Sequence, residues 1–375
     1  MDLCTYNLQE IGLAKALIRK GHICDVMYCC GEEEEHIQTI VFDQGRMLNI
    51  LWLRSRKWSV FLREGIYPSL KKYIDRYDVI QISEYVGFTS LWLNRKYPGK
   101  AINYQGPYYC AENHGDIKKA ALFDRFILPL QHKKNMVVVT KSVLATEYME
   151  SKGIPNVTTI GVGLDLDSLQ RDNEGIYAHE FIQKLHNEKG NNKYLLYIGV
   201  LEPRRNTLFL LEIFQKVLIE YPDTKLILIG KGKSDYVKQC MALIHTLGIE
   251  NRVIYRDQLD QKYLRAVYEV SDAFVLPTRY EIFGMVLLEA MYFGLPTITT
   301  YNGGSSTLMD ESNGVVIKDM NSDIWSKKII ELLKNDEVRH VIGEAAHRTI
   351  AENYTWDSLA DKFLEAYNRR LQSGK

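Results

Sequence analysis

The most informative part of the sequence is Arg279-Tyr280-Glu281-Ile282-Phe283-Gly284-Met285-Val286-Leu287-Leu288-Glu289-Ala290, which joins two apolar runs through a short loop. The run before it, residues 272–277, predicts a buried parallel strand that ends at a proline. The run after it, residues 285–293, predicts a helix that ends at a glycine and a proline. Glu281 is therefore expected at the carboxyl end of a strand, where open α/β sheets bind ligands.

This strand–loop–helix unit offers ligand contacts along its whole length. The main-chain N–H groups of Phe283, Gly284, Met285 and Val286 begin the predicted helix, and such unpaired amides attract phosphate together with the helix dipole. Glu289 follows just over one turn later, where its carboxylate could accept hydrogen bonds from two ribose hydroxyls. Either glutamate alone is more simply interpreted as a surface residue, so it is the combination that predicts a nucleotide site.

The spacing of Glu281 and Glu289 resembles the E-x7-E motif of the retaining glycosyltransferases of family 4. The similarity covers most of the chain and is strongest over residues 194–371. It implies the glycosyltransferase B fold, an α/β architecture in which two doubly wound Rossmann-like domains face a cleft. It also implies that Glu281 contacts the donor sugar and that Glu289 holds the ribose.

The activity that this resemblance implies is transfer of a hexosyl unit from a nucleotide-sugar, with a UDP-sugar expected, to a glycan or polyprenyl-linked acceptor. Cell-surface polysaccharide biosynthesis is the expected setting. No metal or other cofactor is expected, because a helix dipole and arginines would stabilise the leaving diphosphate. Asp165-Leu166-Asp167 matches the metal motif of another glycosyltransferase fold. It follows a stretch that resembles this family's interdomain segment, so we do not assign it to a metal.

Length and composition predict two globular domains, since the chain has 375 residues, 46% of them hydrophobic and 25% charged. We expect an N-terminal acceptor-binding domain over residues 1–168 and a C-terminal nucleotide-sugar-binding domain over residues 169–354. In the resembled family a terminal helix, here residues 355–375, packs back on the first domain. Apolar runs predict strands near residues 23–28, 48–53, 79–82, 101–104, 136–139, 194–198, 225–229, 252–255, 273–276, 297–300 and 314–317.

The start of the chain departs from the usual order of such a domain. Residues 1–17 already have the pattern of a loop followed by a helix, although a strand normally comes first. Either residues 2–6 form a very short strand, or the first strand is missing because the start is mis-set or truncated. We favour the second interpretation.

A second candidate phosphate site follows the predicted strand at residues 194–198. Gly199 permits close approach of the backbone, and the guanidinium groups of Arg204 and Arg205 suit a diphosphate because each can bind two oxygens. The resembled family usually has an arginine directly after this glycine and a lysine about five residues later. Here Val200 and Arg205 occupy those positions, so Arg205 is expected to replace the lysine and Arg204 to compensate for Val200. The alternative is an exposed basic helix start.

Two further strand ends are expected beside the donor, and one beside the acceptor. Lys231 lies in a Gly-Lys-Gly turn, and Gln258 follows the next strand, where the family places the base. Gln105 ends a first-domain strand where the family often has a histidine, and an amide is neither an acid nor a base near neutral pH. Asn7, Gly12 and Gln105 are the predicted acceptor-side residues.

Charge is balanced overall but not along the chain. Residues 46–141 contain 17 basic and 7 acidic residues, an excess of ten, within a net charge of zero. The basic, aromatic-rich centre at residues 54–58, with Lys71 and Lys72, suits an anionic membrane surface, although a solvated helix face is the alternative. A nucleic-acid partner is not expected.

Cellular location is inferred from several absent sequence signals. The chain has no apolar stretch near the ~20 residues of a membrane span and no secretory signal pattern. The cysteines have no zinc or redox spacing and are expected to be reduced thiols. They are at positions 4, 24, 29, 30, 110 and 240. We therefore expect a cytoplasmic protein that contacts the inner face of the cell membrane peripherally.

Two other functions fit parts of the sequence. A nucleotide-sugar epimerase can have the same fold. A non-catalytic glycosyltransferase-like partner protein would account for Val200 and Gln105, whereas intact Glu281, Gly284 and Glu289 argue against it.

Overall fold

The computed structural model of the protein describes residues 8–30, 34–57, 65–108, 114–170 and 175–373. The chain divides into two compact units, unit 1 with residues 1–163 and 355–375, and unit 2 with residues 164–354. The first change of unit therefore falls at residue 164, a few residues before the predicted boundary at 168. The question of a first strand at residues 2–6 lies outside the described residues.

Unit 1 is built from short strands and helices that alternate along the chain. Its described elements up to residue 159 are α1 (Gln9–Arg19), β1 (Asp25–Cys29), β2 (His36–Phe42), β3 (Arg46–Leu53), β4 (Arg56–Lys57), β5 (Gly65–Ile66), β6 (Ile80–Ser83), α2 (Phe88–Lys96), β7 (Ala101–Gln105), α3 (His114–Phe126), β8 (Val137–Thr140), α4 (Val143–Glu150) and β9 (Asn156–Thr159). In this part of the chain, β6, β7, β8 and β9 form a parallel sheet in that order. The helix predicted after the opening loop is present as α1, and the five strands predicted for this part of the chain are found.

The strand β2 was not predicted. It pairs with β3 in antiparallel register, and β3 pairs with β1 in parallel, in the order β1-β3-β2. One face of this sheet is buried against α1 through Leu48, Ile50 and neighbouring residues. Most side chains of β2 are exposed, because the strand lies at the sheet edge. A strand with so little buried apolar surface gives only a weak sequence pattern.

Unit 2 has a regular alternation of helices and strands. Its described elements are α5 (Leu166–Gln170), α6 (Glu180–Lys189), β10 (Lys193–Ile198), α7 (Thr207–Glu220), β11 (Thr224–Ile229), α8 (Ser234–Thr246), β12 (Val253–Arg256), α9 (Gln261–Val270), β13 (Ala273–Leu276), α10 (Met285–Tyr292), β14 (Thr297–Thr300), α11 (Ser305–Leu308), β15 (Val315–Ile317), α12 (Ser322–Lys334) and α13 (Asp336–Asn353). The six strands described form one parallel sheet in the order β12-β11-β10-β13-β14-β15. All six predicted strands are found.

The strand order of unit 2 explains where ligands would bind. The central strands β10 and β13 have fully buried apolar side chains, as parallel strands with helices on both faces should. The chain leaves β10 toward β11 and β12 on one side and returns to β13 on the other. This reversal of direction between β10 and β13 is a topological switch point, where the loops at the carboxyl ends diverge and leave a crevice.

The last helix, α14 (Trp356–Ser373), belongs to unit 1. It contacts α1, where Arg19 pairs with Asp357 at 3.1 Å and Lys20 pairs with Asp361 at 2.8 Å. Trp356 is 4% exposed and lies against Gly12, where a Cβ atom would overlap the indole ring. Gly12 thus allows α1 and α14 to pack closely.

A buried carboxylate organises the amino-terminal ends of the unit 2 strands. Asp272 precedes β13, is 14% exposed, pairs with Lys189, and lies 3.7 Å from Lys193 and 3.9 Å from Arg339. It also accepts a hydrogen bond from the Tyr194 N–H at 2.7 Å. Burial lowers the pKa of Lys189. The carboxylate therefore lies among three cations at the base of the central strands, and two of them, Lys193 and Arg339, also pair with the exposed Asp336.

Replacing Asp272 with asparagine is expected to destabilise unit 2 strongly. The change removes the anion that pairs with Lys189 inside the unit, and loss of one partner of a buried ion pair costs about 3 kcal/mol. Urea unfolding followed by circular dichroism measures it. Asp323→Asn is the matched control, because Asp323 pairs with Lys216 but is 77% exposed. Its expected effect is below ~1 kcal/mol, and equal effects of the two changes would contradict the assignment.

Candidate active site

The loop between β13 and α10 places Glu281 at the carboxyl edge of the unit 2 sheet, as predicted. Glu281 is 8% exposed. Gly284, which precedes α10, has a φ of +84°, and a Cβ atom there would lie 3.0 Å from Cγ of Glu281. The left-handed backbone and the close contact together make glycine the residue that fits at this position. The loop therefore turns sharply at Gly284, and this turn brings Glu281 close to the start of α10.

The side chains of Glu281 and Arg205 form an ion pair. The guanidinium comes from the loop after β10, so the pair spans the switch point between the two central strands. The Arg205 side chain is 16% exposed. Its Nε is buried, and no acceptor among the described residues lies within hydrogen-bond distance of it. One donor of this guanidinium is therefore buried without a hydrogen bond to the described residues.

Arg204 holds the two loops together through the main chain. Its guanidinium donates to the Tyr280 carbonyl at 2.8 Å and to Glu202 at 2.6 Å. In the opposite direction, the Arg279 N–H donates to the Arg204 carbonyl at 2.9 Å. Arg204 was predicted to bind the diphosphate, and the structure gives its guanidinium these internal partners. Val200, which stands where the resembled family has an arginine, is 51% exposed.

Two glycines on a neighbouring strand end support the Glu281 loop, and sequence reasoning missed them. Gly303 donates its N–H to the Glu281 carbonyl at 3.0 Å, and a Cβ atom on Gly304 would overlap the Phe283 carbonyl oxygen. Asn302 is 1% exposed and accepts hydrogen bonds from the Gly304 and Ser305 amides at 2.9 and 3.1 Å. The available signal was the sequence Asn302-Gly303-Gly304, which begins two residues after the predicted strand at residues 297–300.

The predicted glycine loops of β10 and β11 also meet. A Cβ atom on Gly230 would overlap the Gly199 carbonyl oxygen, and the Gly199 N–H donates to the Ile229 carbonyl at 3.0 Å. Beneath them, burial raises the pKa of Tyr197 to about 12. Its hydroxyl therefore stays protonated at neutral pH and donates to the Val200 carbonyl at 3.3 Å. The backbone of this edge is fixed before any ligand arrives.

Lys231 and Gln258 are brought together at this edge. The Lys231 ammonium donates to the Gln258 side-chain oxygen at 3.0 Å, and both side chains are accessible. Two residues predicted from separate strand ends thus form one polar contact.

Glu289 lies deeper than expected for a ribose ligand. It is 3% exposed, and the Tyr268 hydroxyl donates to it at 2.8 Å. Tyr268 in turn stacks on Phe293 with ring centroids 5.3 Å apart. The structure thus fixes the Glu289 carboxylate from within unit 2, and its contact with ribose remains a prediction. Met285 and Val286 begin α10 and are partly exposed, whereas the Phe283 side chain is 2% exposed, so only its main chain is suited to a ligand.

The predicted acceptor-side residues of unit 1 have structural partners. Gln105 is 2% exposed, accepts from the Tyr85 N–H at 3.2 Å and donates to the Pro107 carbonyl at 2.8 Å. Gly12 packs against Trp356, as described above. Asn7 lies outside the described residues. The roles of all three toward an acceptor remain predictions.

Different residues supply charge at the carboxyl edge of the β6–β9 sheet. Lys141 follows β8, and its ammonium lies 4.9 Å from the Tyr104 ring centroid. Burial lowers the pKa of Lys141, while the nearby carboxylates of Glu10 and Glu84 act in the opposite direction. Glu84 follows β6 with a φ of +65°, a strained conformation that is enriched at functional sites. Sequence reasoning missed both residues, because isolated charges after strands give no pattern.

Neither a metal cluster nor a spanning helix is among the described features. No group of three or more His, Cys, Asp or Glu side chains in the described ranges is arranged to hold a metal ion. None of the helices described for this chain combines the length and apolar character needed to cross a bilayer.

The part of the chain that carries this site is similar to known proteins. Residues 179–349 match the model of the family described as glycosyl transferases group 1. An uncharacterised glycosyltransferase of Methanocaldococcus jannaschii is 25% identical over 96% of this chain and 93% of its own length. Other curated relatives match shorter stretches, and this chain spans 42% of a D-inositol 3-phosphate glycosyltransferase of Corynebacterium diphtheriae at 29% identity.

Two solved structures resemble the fold at 18% identity. Sucrose-phosphate synthase from Thermosynechococcus elongatus matches with a TM-score of 0.71 over 96% of this chain and 92% of that one. HepE from Anabaena matches with a TM-score of 0.64 over 86% of each chain. These likenesses confirm the predicted α/β fold class with its glycosyltransferase B architecture.

Proposed function

We propose that this chain, whose residues 179–349 match the model of glycosyl transferases group 1, is a hexosyltransferase that retains anomeric configuration and uses a nucleotide-sugar donor. In this reaction the bond between the anomeric carbon and the diphosphate oxygen breaks. A bond from that carbon to an acceptor hydroxyl oxygen forms on the same face of the sugar. The acceptor's proton passes to the leaving diphosphate, so orientation and charge stabilisation matter more than a protein base.

The observation that carries the proposal is the pairing of Arg205 with Glu281 beside the start of α10. A nucleotide-sugar presents a dianionic diphosphate next to neutral sugar hydroxyls. The Arg205 guanidinium and the N–H groups at the start of α10 suit the diphosphate. The Glu281 carboxylate, which accepts hydrogen bonds, suits the sugar hydroxyls. In the proposed complex Arg205 turns to the diphosphate and Glu281 to the sugar. The Glu289 carboxylate accepts hydrogen bonds from the ribose hydroxyls while it keeps the one from Tyr268.

The expected donor is a UDP-sugar. HepE, which has a similar fold, is seen in complex with UDP-glucose. The proposed acceptor is a glycan or polyprenyl-linked molecule of cell-surface polysaccharide biosynthesis, and the protein would meet it at the cytoplasmic face of the membrane. No metal is required in this scheme, since the leaving group is stabilised by Arg205 and by the α10 amides.

The donor is tested by thermal unfolding in the presence of UDP, GDP, ADP or dTDP and their sugars. A ligand at ~100 times its dissociation constant stabilises the folded state by roughly 2.7 kcal/mol if it binds only that state. We expect a rise in melting temperature with UDP and UDP-sugars. A rise with another base alone would redirect the donor assignment, and no rise with any nucleotide would contradict the proposed function.

A further inference from the structure

A line of exposed apolar side chains runs along α3 and the turn that follows it. Leu122 and Phe126 are each 59% exposed, and Leu130 is 45% exposed. Leu122 and Phe126 are four residues apart on one helix and therefore share a face. The Leu130 N–H donates to the Ile127 carbonyl at 2.9 Å, which carries Leu130 about one helical turn further. We call these three residues the α3 patch.

The α3 patch is not an unfilled part of the unit 1 core. The core-facing side of the same segment is already occupied, because Phe123 and Leu128 are buried at 4% and 2% exposure. The segment thus has an apolar face in the core and a second apolar face in solvent. Ordinary surface helices have only the first, and contiguous exposed apolar side chains indicate an interaction surface.

The charge around the patch selects the partner. Arg125 is exposed with its guanidinium 5.7 Å from the Phe126 ring, and Lys134 is exposed shortly after the patch. The nearby acidic Asp124 is neutralised, since it pairs with Lys152 and accepts from the Tyr85 hydroxyl at 2.7 Å. Large apolar side chains flanked by cations are the composition of surfaces that lie in the headgroup region of anionic bilayers.

A second copy of the chain fits this surface less well. A two-fold interface brings the two patches together, so the cations that flank one patch approach the cations that flank the other. Like charges brought together in this way oppose association. We propose that the α3 patch inserts into the headgroup region of an anionic membrane. This inference rests on the proposed action on a membrane-linked acceptor, and it moves the membrane contact from residues 54–58, where it was predicted, to α3.

The test is co-sedimentation of the full chain with phosphatidylcholine vesicles, with and without phosphatidylglycerol. At low salt we expect recruitment by the anionic vesicles, weakened by added salt as screening increases. The triple change Leu122→Ser, Phe126→Ser and Leu130→Ser should lower vesicle affinity by roughly tenfold or more, because the inserted apolar area is lost.

The chain offers a matched control in another exposed apolar set. Ile37, Val41 and Met47 are 54%, 66% and 64% exposed on β2 and β3, and Val41 pairs directly with Met47. Asp43 lies next to them and pairs with Arg19 at 2.5 Å, and this set belongs to a sheet whose core is separate from the one that α3 packs on. Its triple serine variant should bind vesicles like the unchanged protein. If the α3 variant does not fold, the charge reversals Arg125→Glu and Lys134→Glu test the same surface.

Several outcomes would overturn the inference. They are absence of recruitment, equal binding to neutral vesicles, equal loss in the control variant, or concentration-dependent dimers that the α3 changes abolish. Nucleotide-induced stabilisation in the absence of vesicles reports on the donor site separately. If the vesicles do not recruit the protein but UDP still binds, the membrane role of the α3 patch is refuted and the proposed transfer reaction still stands.

Discussion

Replacing Glu281 with glutamine is expected to lower turnover by roughly 10²- to 10³-fold, the usual effect of removing one group that stabilises a transition state. Glutamine keeps the size of the side chain but loses the negative charge. That charge would stabilise the positive charge that develops on the sugar as its bond to the diphosphate breaks. The fold should be retained, since an amide oxygen can still accept a hydrogen bond from Arg205. Release of UDP from the UDP-sugar, followed with and without acceptor, measures the change.

The same variant should separate catalysis from nucleotide binding. In the free protein the Glu281 carboxylate competes with a diphosphate for Arg205, and the amide competes less. UDP should therefore bind the variant at least as tightly as it binds the unchanged protein, as calorimetry can measure. Glu311→Gln, an exposed carboxylate on another loop of unit 2, is the control and should alter neither quantity. Normal turnover in Glu281→Gln would refute the site.

Replacing Arg205 with glutamine should impair both binding and turnover. A charge-assisted hydrogen bond is worth roughly 1.5–3 kcal/mol, so UDP affinity should fall by about 10- to 100-fold. Turnover should fall further, because the leaving diphosphate gains charge as the donor bond breaks. Calorimetry with UDP and steady-state assays of UDP release give the two numbers.

Arg205→Lys is the appropriate companion, because it retains the charge but not the planar fork. It should recover part of the UDP affinity, which a purely structural role of the guanidinium would not predict. If Arg205→Gln binds UDP normally, the diphosphate is held elsewhere on this edge, and Lys231 becomes the first alternative.

The sequence was most predictive where buried elements alternate regularly. Every strand of the unit 2 sheet was predicted, because central parallel strands such as β10 and β13 are continuous apolar runs. Glu281 and Arg205 were also expected at strand ends on one edge, since the carboxyl ends of parallel strands share an edge. Their ion pair could not be predicted, because it depends on the angles of two loops rather than on any periodic pattern.

The features that escaped prediction have little local pattern. The edge strand β2 has mostly exposed side chains, and such a strand is specified by its pairing with β3. The support of the Glu281 loop by Gly303 and Gly304 depends on a backbone approach between loops that are distant in sequence. Gln105 was placed on the acceptor side because it ends a strand, yet its amide is bonded to the main chain around Tyr85 and Pro107.

The membership of α14 in unit 1 has a consequence for the order in which the chain matures during synthesis. Unit 2 is continuous in sequence, so all of its residues have been added once Tyr354 is reached. Unit 1 begins first but lacks Trp356 and the Asp357 and Asp361 partners of Arg19 and Lys20 until α14 emerges. Domains generally fold as units as they are translated. The unit that is started first is therefore completed last, and until then the face of α1 that carries Gly12 remains uncovered.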